Sequence, residues 1–154
     1  MATEIERKFL VCGDFHESSV RAYRITQGYI CPESGRTVRV RLRDGQGFLT
    51  IKGPSLDGGV SRFEWEKEIS EDDAKQLLQL CDNKIDKTRY IVPFAGHTFE
   101  VDEFYGDNLG LVVAEIELQF PDEPFAKPFW LGEEVTGQKQ YYNAQLSRKP
   151  FKDW

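Results

Sequence analysis

Charged side chains of both signs alternate with apolar ones along seven strand-like segments of this 154-residue chain. Residues two apart on a β-strand share a face, so Glu4, Glu6 and Lys8 point one way while Ile5 and Phe9 point the other. The basic residues in these positions are Lys8, Arg39, Arg41, Lys52, Lys87 and Arg89. The acidic residues are Glu4, Glu6, Glu64, Glu66, Asp102, Glu115 and Glu117.

These residue types favour binding of a metal-bound polyphosphate. Three of the acidic pairs are spaced i, i+2, and like charges so placed repel unless a cation lies between them. Hard divalent ions such as Mg²⁺ and Mn²⁺ take oxygen ligands, whereas guanidinium groups fit phosphate with two parallel hydrogen bonds. The chain contains no GxxxxGK[ST] or GxGxxG motif, so side chains would have to hold the phosphates.

A sheet with one core face and one charged solvent face would explain any single segment of this kind. The recurrence of both signs and of carboxylate pairs favours a different arrangement. If the apolar faces pack outward, the charged faces must turn inward and line a shared cavity.

The alternating segments predict the strands, and turn residues separate them. We expect strands at 4–11, 22–30, 36–43, 48–52, 61–69, 85–92, 97–104 and 111–120, with a loop at 53–59. Helices are predicted over 71–81, with Ser70 as N-cap, and over 138–146, with Thr136 as N-cap; a short helical piece could lie at 15–20. The fold class is therefore α+β, mostly β: an eight-stranded antiparallel barrel that forms a charged tunnel, with a few flanking helices.

Length and composition predict one domain over residues 1–154. The net charge of −6, with cations interleaved among carboxylates, argues against nucleic acid as a partner. No apolar run approaches the length of a membrane span, so we expect no membrane contact. Three scattered cysteines indicate free thiols and a cytoplasmic location, and exposed apolar strands could support a homodimer.

The motifs resemble, in order, those of the CYTH domain, or triphosphate tunnel metalloenzyme, family, from residue 4 to about 146. The matching elements are the ExExK run at 4–8, Arg39 and Arg41, the TIKG lysine Lys52, the ExE pair Glu64 and Glu66, the KxRY residues Lys87 and Arg89, the VDxF acid Asp102, and the AEIEL pair Glu115 and Glu117. The short bacterial inorganic triphosphatases are the most similar branch.

The resemblance implies a barrel whose tunnel holds a triphosphate chain with one or two divalent ions, Mg²⁺ or Mn²⁺. It assigns phosphate binding to the six basic residues and metal binding to the seven acidic ones. It also implies hydrolysis of triphosphates or, in one branch, cyclisation of ATP. Glu100 shares a strand face with Asp102, but we place it at the tunnel mouth, outside the site.

We expect metal-dependent cleavage of tripolyphosphate to pyrophosphate and phosphate. The chain is short and shows no evident slot for adenine or platform for thiamine, since Trp130 is predicted to pack under the C-terminal helix. A thiamine or nucleoside triphosphatase is the first alternative, followed by an adenylyl cyclase and by a polyphosphate binder without turnover. The proton acceptor is either Lys52 acting with Tyr29, as in some related enzymes, or a carboxylate.

Overall fold

The computed structural model describes residues 2–33 and 35–154. Its strands are β1 Ala2–Val11, β2 Arg21–Cys31, β3 Thr37–Arg43, β4 Gln46–Leu56, β5 Ser61–Ile69, β6 Lys84–Phe94, β7 His97–Phe104, β8 Val112–Glu117 and β9 Leu131–Glu134. Its α-helices are α1 Glu71–Leu78 and α2 Asn143–Leu146, and short 3-10 turns occur at His16–Ser18, Asp57–Gly59, Gly106–Asn108, Lys139–Tyr141 and Phe151–Asp153.

Eight antiparallel strands close into a barrel in the order β1-β5-β4-β3-β2-β6-β7-β8, with β8 pairing back to β1. One edge of β1 is shared: Ala2–Ile5 pairs with β5, and β9 pairs at Phe9 and Val11. The predicted mostly-β barrel is confirmed. The ninth strand was not predicted, because its four residues, with Gly132 among them, are too few to show alternation.

Both ends of β4 differ from the prediction, and β8 ends at Glu117 and not at residue 120. The hairpin between β3 and β4 turns on Asp44 and Gly45 alone, both with positive φ, so β4 already begins at Gln46. Strand β4 then continues to Leu56 through the predicted loop, because a register shift after Lys52 lets pairing with β5 resume at Ser55. A bulge of this kind cannot be recognised from alternation.

The apolar faces of the strands point outward and are covered there. Phe9, Phe99 and Ile116 form one buried cluster with Phe15 and Trp130, so Trp130 packs on the β1–β7–β8 wall and not under the C-terminal helix as predicted. A second cluster joins Val40 of the barrel to Ala74 and Leu78 of α1. The outward apolar surface leaves the inward faces to the charged residues.

Helix α1 begins as predicted, with the Ser70 hydroxyl accepting a hydrogen bond from the Asp73 amide at 3.0 Å, but it ends at Leu78. The predicted helix over 138–146 is instead a 3-10 turn and the one-turn α2, separated by Tyr142 in extended conformation. Thr136 caps neither, because its hydroxyl accepts from the Lys8 amide at 2.9 Å and donates to Glu134. It therefore fastens the C-terminal segment to β1.

One end of the barrel interior is filled by apolar side chains, which we call the plug. Leu146 is its main contribution from the C-terminal segment. The other members are Tyr29, Ile85, Phe104, Leu111, Val113, Tyr141 and Phe151. The end opposite the plug is called the open end below. In the part of the chain that the structure describes, no helix is long and apolar enough to cross a membrane.

Close packing of β2 against the segment after α1 gives a first prediction. A Cβ atom on Gly28 would lie 2.6 Å from Cβ and 2.8 Å from Sγ of Cys81, so Gly28→Ala should lower the free energy of unfolding by about 1–3 kcal/mol. Urea unfolding measures the change. The Cys81→Gly background removes both atoms, and there Gly28→Ala should cost less; an equal cost in both backgrounds would rule out this contact as the cause.

Candidate functional site

The inward side chains enclose a cavity of about 220 Å³. The predicted site residues that line it are Glu4, Glu6, Lys8, Tyr29, Arg39, Arg41, Lys52, Glu64, Glu66, Arg89, Glu115 and Glu117. Lys87 and Asp102 are not among its lining residues and are almost fully buried behind it. The structure thus brings most of the predicted residues to one place, with two behind the wall.

Arg39 and Arg41 lie across the barrel from the carboxylates of β8. Strand β3 carries Arg39 and Arg41, and it lies four strands away from β8 in either direction around the ring. Strand β8 carries Glu115 and Glu117, and its neighbour β1 adds Glu6. An anion with bound cations could therefore lie between an arginine wall and a carboxylate wall.

Several cavity cations are held by carboxylates. Lys52 donates to both oxygens of Glu4 at 2.9 and 3.0 Å, and Lys8 lies 3.4 Å from Glu115. Burial alone would lower the pKa of Lys8, but Glu115 and Glu6 outweigh it and raise that pKa. The pair with Glu115 thus keeps Lys8 charged inside the barrel.

Asp102 is the hub of a buried ion-pair network. Its Oδ2 accepts from Lys87 Nζ at 2.7 Å, and its two oxygens accept from Arg89 at 2.8 and 2.9 Å. Burial would raise the pKa of Asp102, but Arg89 and Lys87 lower it well below its ordinary value. Lys87 also donates to Asn143 Oδ1 at 3.0 Å. Asp102 therefore positions two cations, and both of its oxygens are occupied.

The remaining carboxylates crowd one another. Burial, followed by Glu115 and Glu4, raises the pKa of Glu6 well above its ordinary value. Burial and a hydrogen bond with Glu4 raise the pKa of Glu64 to about 7. Glu6–Glu115 and Glu4–Glu64 are thus carboxyl pairs close enough to share a proton. Such pairs have room for a cation in place of the proton.

This donor set fits a hard divalent ion that binds together with its substrate. In the described residues no three His, Cys, Asp or Glu side chains converge into a ready-made metal site. Mg²⁺ usually keeps several waters and is held by one or two carboxylates plus substrate phosphates, so a preformed cage is not required. Glu4, Glu6, Glu115 and Glu117 line the cavity and would supply the oxygens.

The two predicted catalytic residues do not meet. Lys52 is committed to Glu4, while Tyr29 interacts with Gln27, whose Nε2 lies 3.4 Å from the Tyr29 hydroxyl. Lys52 lies on β4 and Tyr29 on β2, and β3 lies between these strands, so the two strands are roughly 10 Å apart. No hydrogen bond joins them within residues 2–33 and 35–154.

Sequence reasoning missed several cavity residues. Arg43 and Arg62 share strand faces with Arg41 and Glu64, so the same alternation rule could have found them. Glu100 was predicted to lie at the tunnel mouth, outside the site, but it lines the cavity, and its carboxylate lies 3.5 Å from the Arg89 guanidinium. Tyr142 and Asn143 also line the cavity. They belong to the C-terminal segment, and no sequence pattern around them predicts that position.

The sequence model of the CYTH domain family matches residues 2–149. The chain belongs to the CYTH domain family. A relative in Acetivibrio thermocellus, named inorganic triphosphatase, is 46% identical over 156 residues and covers 100% of this chain and 99% of its own length. A protein of the same name in Nitrosomonas europaea is 36% identical, covering 94% of this chain and 97% of its own length.

Solved structures share the barrel fold. A crystal structure of an inorganic triphosphatase superposes with a TM-score of 0.68 at 33% identity, covering 93% of this chain and 96% of that chain. A Hippeastrum protein superposes with a TM-score of 0.63 at 14% identity, covering 77% of this chain and 81% of that chain, which supports the fold alone.

The Glu64 carboxyl of this CYTH domain should make stability depend on pH. Its folded pKa of about 7 exceeds the ordinary 4.5, so the folded state binds more protons between those values and the free energy of unfolding falls as pH rises through them. Glu64→Gln should flatten this fall in urea titrations at pH 5 and pH 8 with EDTA. Glu68→Gln, at an exposed position of the same strand, is the control. An unchanged slope in Glu64→Gln would contradict the assignment.

The Asp102 hub gives a prediction about folding. Asp102→Asn leaves Lys87 and Arg89 buried without their counter-charge, so the free energy of unfolding should drop by about 3–5 kcal/mol. Asp82→Asn, at an exposed position, should change it by less than about 0.5 kcal/mol. Equal losses in the two variants, measured by urea unfolding, would refute the hub.

Proposed function

We infer that this protein is an inorganic triphosphatase that hydrolyses tripolyphosphate to pyrophosphate and phosphate. The observation that carries this conclusion is the single cavity with an arginine wall facing a carboxylate wall. Two relatives named inorganic triphosphatase, 46% and 36% identical over nearly the whole chain, support it. The site residues assigned below are part of this proposal.

The basic side chains bind and orient the triphosphate. Arg39 and Arg41 would present guanidinium groups to phosphate oxygens, while Lys8 adds charge from β1 across the cavity and Lys52 adds charge from β4, beside β3. Arg89 lines the cavity with its orientation fixed by two hydrogen bonds to Asp102. These cations stabilise the charge that develops on the transferred phosphoryl group, and Lys87 supports Arg89 from behind.

We propose that Mg²⁺ or Mn²⁺ assists the reaction. Glu6, Glu115, Glu117 and Glu4 would hold the ion, with Glu64 and Glu66 adjacent, while Asp102 acts through Arg89. A divalent ion there neutralises phosphate charge and polarises the phosphorus–oxygen bonds. The carboxylate pairs that share a proton would then be ionised.

The proton of the attacking water has two candidate acceptors. A carboxylate is favoured by position, because Glu64 and Glu66 line the cavity near the arginine wall. Lys52 with Tyr29 is the second candidate, and it requires Lys52 to leave Glu4 first. If a Tyr29→Phe variant keeps the wild-type kcat, a carboxylate is favoured as the acceptor of the water proton.

Trp130 and Trp154 offer no platform for the alternative substrates. Trp130 is buried in the outer apolar cluster, and Trp154 packs on Tyr141 and Phe151, so neither lines the cavity. Thiamine triphosphate and nucleoside triphosphates are therefore second candidates, and cyclisation of ATP is third. A polyphosphate binder without turnover would not need the carboxylate wall.

Partners and location remain predictions. We propose the small triphosphate as the partner and neither nucleic acid nor membrane. A homodimer could use the exposed pair Ile51 and Trp65, which are cross-strand neighbours on the outer face. The cysteines Cys12, Cys31 and Cys81 are free thiols, in keeping with the cytoplasm.

An assay of phosphate release tests the function. Purified protein should release phosphate from tripolyphosphate faster than from ATP or thiamine triphosphate with Mg²⁺ or Mn²⁺, and EDTA should stop it. Glu115→Gln/Glu117→Gln should raise the Mg²⁺ concentration for half-maximal rate by about 10-fold or more, because the ion loses two ligands. Release that persists in EDTA would refute metal dependence, and no release from any substrate would refute the enzyme.

A further inference from the structure

Arg43 is the last residue of β3 and lines the cavity at its open end. Tyr29, which belongs to the plug, pairs with Arg39 across β2 and β3. Arg43 pairs with Ile25, four residues earlier on β2, and is therefore about 13 Å from the plug along the strand. Arg39, Arg41 and Arg43 form a row from plug to open end.

Two aromatic rings clamp the Arg43 guanidinium. Its central carbon lies 4.7 Å from the ring centre of Tyr23 and 5.0 Å from that of Phe48. Tyr23 belongs to β2 and Phe48 to β4, the two strands that flank β3. A guanidinium held from both flanks by cation–π contacts loses little rotamer freedom when a ligand binds.

Arg43 has no acidic partner, and among the described residues that line the cavity it shares this with Arg41 and Arg62. Among the described residues, no carboxylate lies within ion-pair distance of Arg43, and its buried Nε lacks a hydrogen-bond acceptor. Four other cavity cations contact carboxylates: Lys8–Glu115 at 3.4 Å, Arg39–Glu66 at 3.6 Å, Lys52–Glu4 at 2.9 Å and Arg89–Asp102 at 2.8 Å. Arg41 Nε instead donates to Gln27, and Arg62 lies over a single ring, that of Tyr142, so only Arg43 of these three is held between two rings. An immobilised guanidinium without an acceptor is suited to a ligand that brings oxygens.

We propose that Arg43 binds the phosphate group nearest the open end, and that Tyr23 and Phe48 position it. This inference rests on the proposed triphosphatase function. It specifies that the open end of the cavity binds a terminal phosphate in preference to a nucleoside. Arg43 lies over the Phe48 ring, and Arg43 and Arg21 both lie over the Tyr23 ring, so these rings already stack on guanidinium groups and are less available to a base. A terminal phosphate also carries more charge than the esterified α-phosphate of a nucleotide, so it gains more from Arg43.

Arg43→Gln tests the proposal against Arg24→Gln. Arg24 is a matched control because it also stacks on a ring, 4.3 Å from the centre of Tyr105, but lies exposed on the outer face. In Arg43→Gln, kcat/KM for tripolyphosphate should fall about 10- to 100-fold, mainly through KM, and the fall for ATP should be smaller. Arg24→Gln should leave both values unchanged.

The clamp has its own variants. Tyr23→Phe keeps the ring and should behave like the wild type, whereas Tyr23→Leu and Phe48→Leu should raise KM for tripolyphosphate while kcat changes little. If the rings served only the fold, these two variants would lower the melting temperature and leave KM unchanged.

Calorimetric binding of tripolyphosphate in EDTA separates the two levels of inference. Arg43→Gln should weaken this binding about 10-fold or more, whether or not turnover occurs. Wild-type protein that binds but never hydrolyses tripolyphosphate would refute the triphosphatase and leave the Arg43 site supported. Arg43→Gln that matches Arg24→Gln in affinity and in kcat/KM would overturn the Arg43 site alone.

Discussion

The confinement of both signs of charge inside a closed barrel is the constraint on which the rest of this structure depends. An ion taken out of water costs several kcal/mol unless a partner or a proton compensates it. Here Glu4 compensates Lys52, and Asp102 compensates Lys87 and Arg89. Where cations are lacking, carboxyl groups such as Glu64 keep protons. These groups thus have partners in the absence of substrate, and under the proposed function they would exchange those partners for phosphate and metal.

An interior of this kind reverses the usual place of the core. Apart from the plug, the apolar residues of the strands face outward, so α1 and the segment with Trp130 are needed to cover them. Strand β1 holds the arrangement together because it pairs with β5, β8 and β9. The same strand carries three inward charges of the cavity wall, so closure of the barrel and placement of the site depend on the same backbone hydrogen bonds.

Geometry divides residues that look equivalent by charge. Asp102 and Glu115 are both buried acids, yet Asp102 uses its two oxygens on Lys87 and Arg89 while Glu115 faces the cavity. Arg41 and Arg43 share one strand face, yet Arg41 Nε donates to Gln27 whereas Arg43 is held by rings. Such differences in partners decide which groups are available to a ligand.

The alternation of charged and apolar residues by itself determined the eight barrel strands and the inward face of each, because the two-residue period of a strand is a local property. Local residue spacing also sufficed to predict the Ser70 cap, because the cap joins residues only three positions apart. Only the tertiary structure decided that Lys87 and Asp102 lie behind the wall, that Thr136 fastens β1, and that Asn143 reaches Lys87. Those outcomes depend on contacts between residues more than fifty positions apart or on strand register, and the spacing of neighbouring residues carries no information about either.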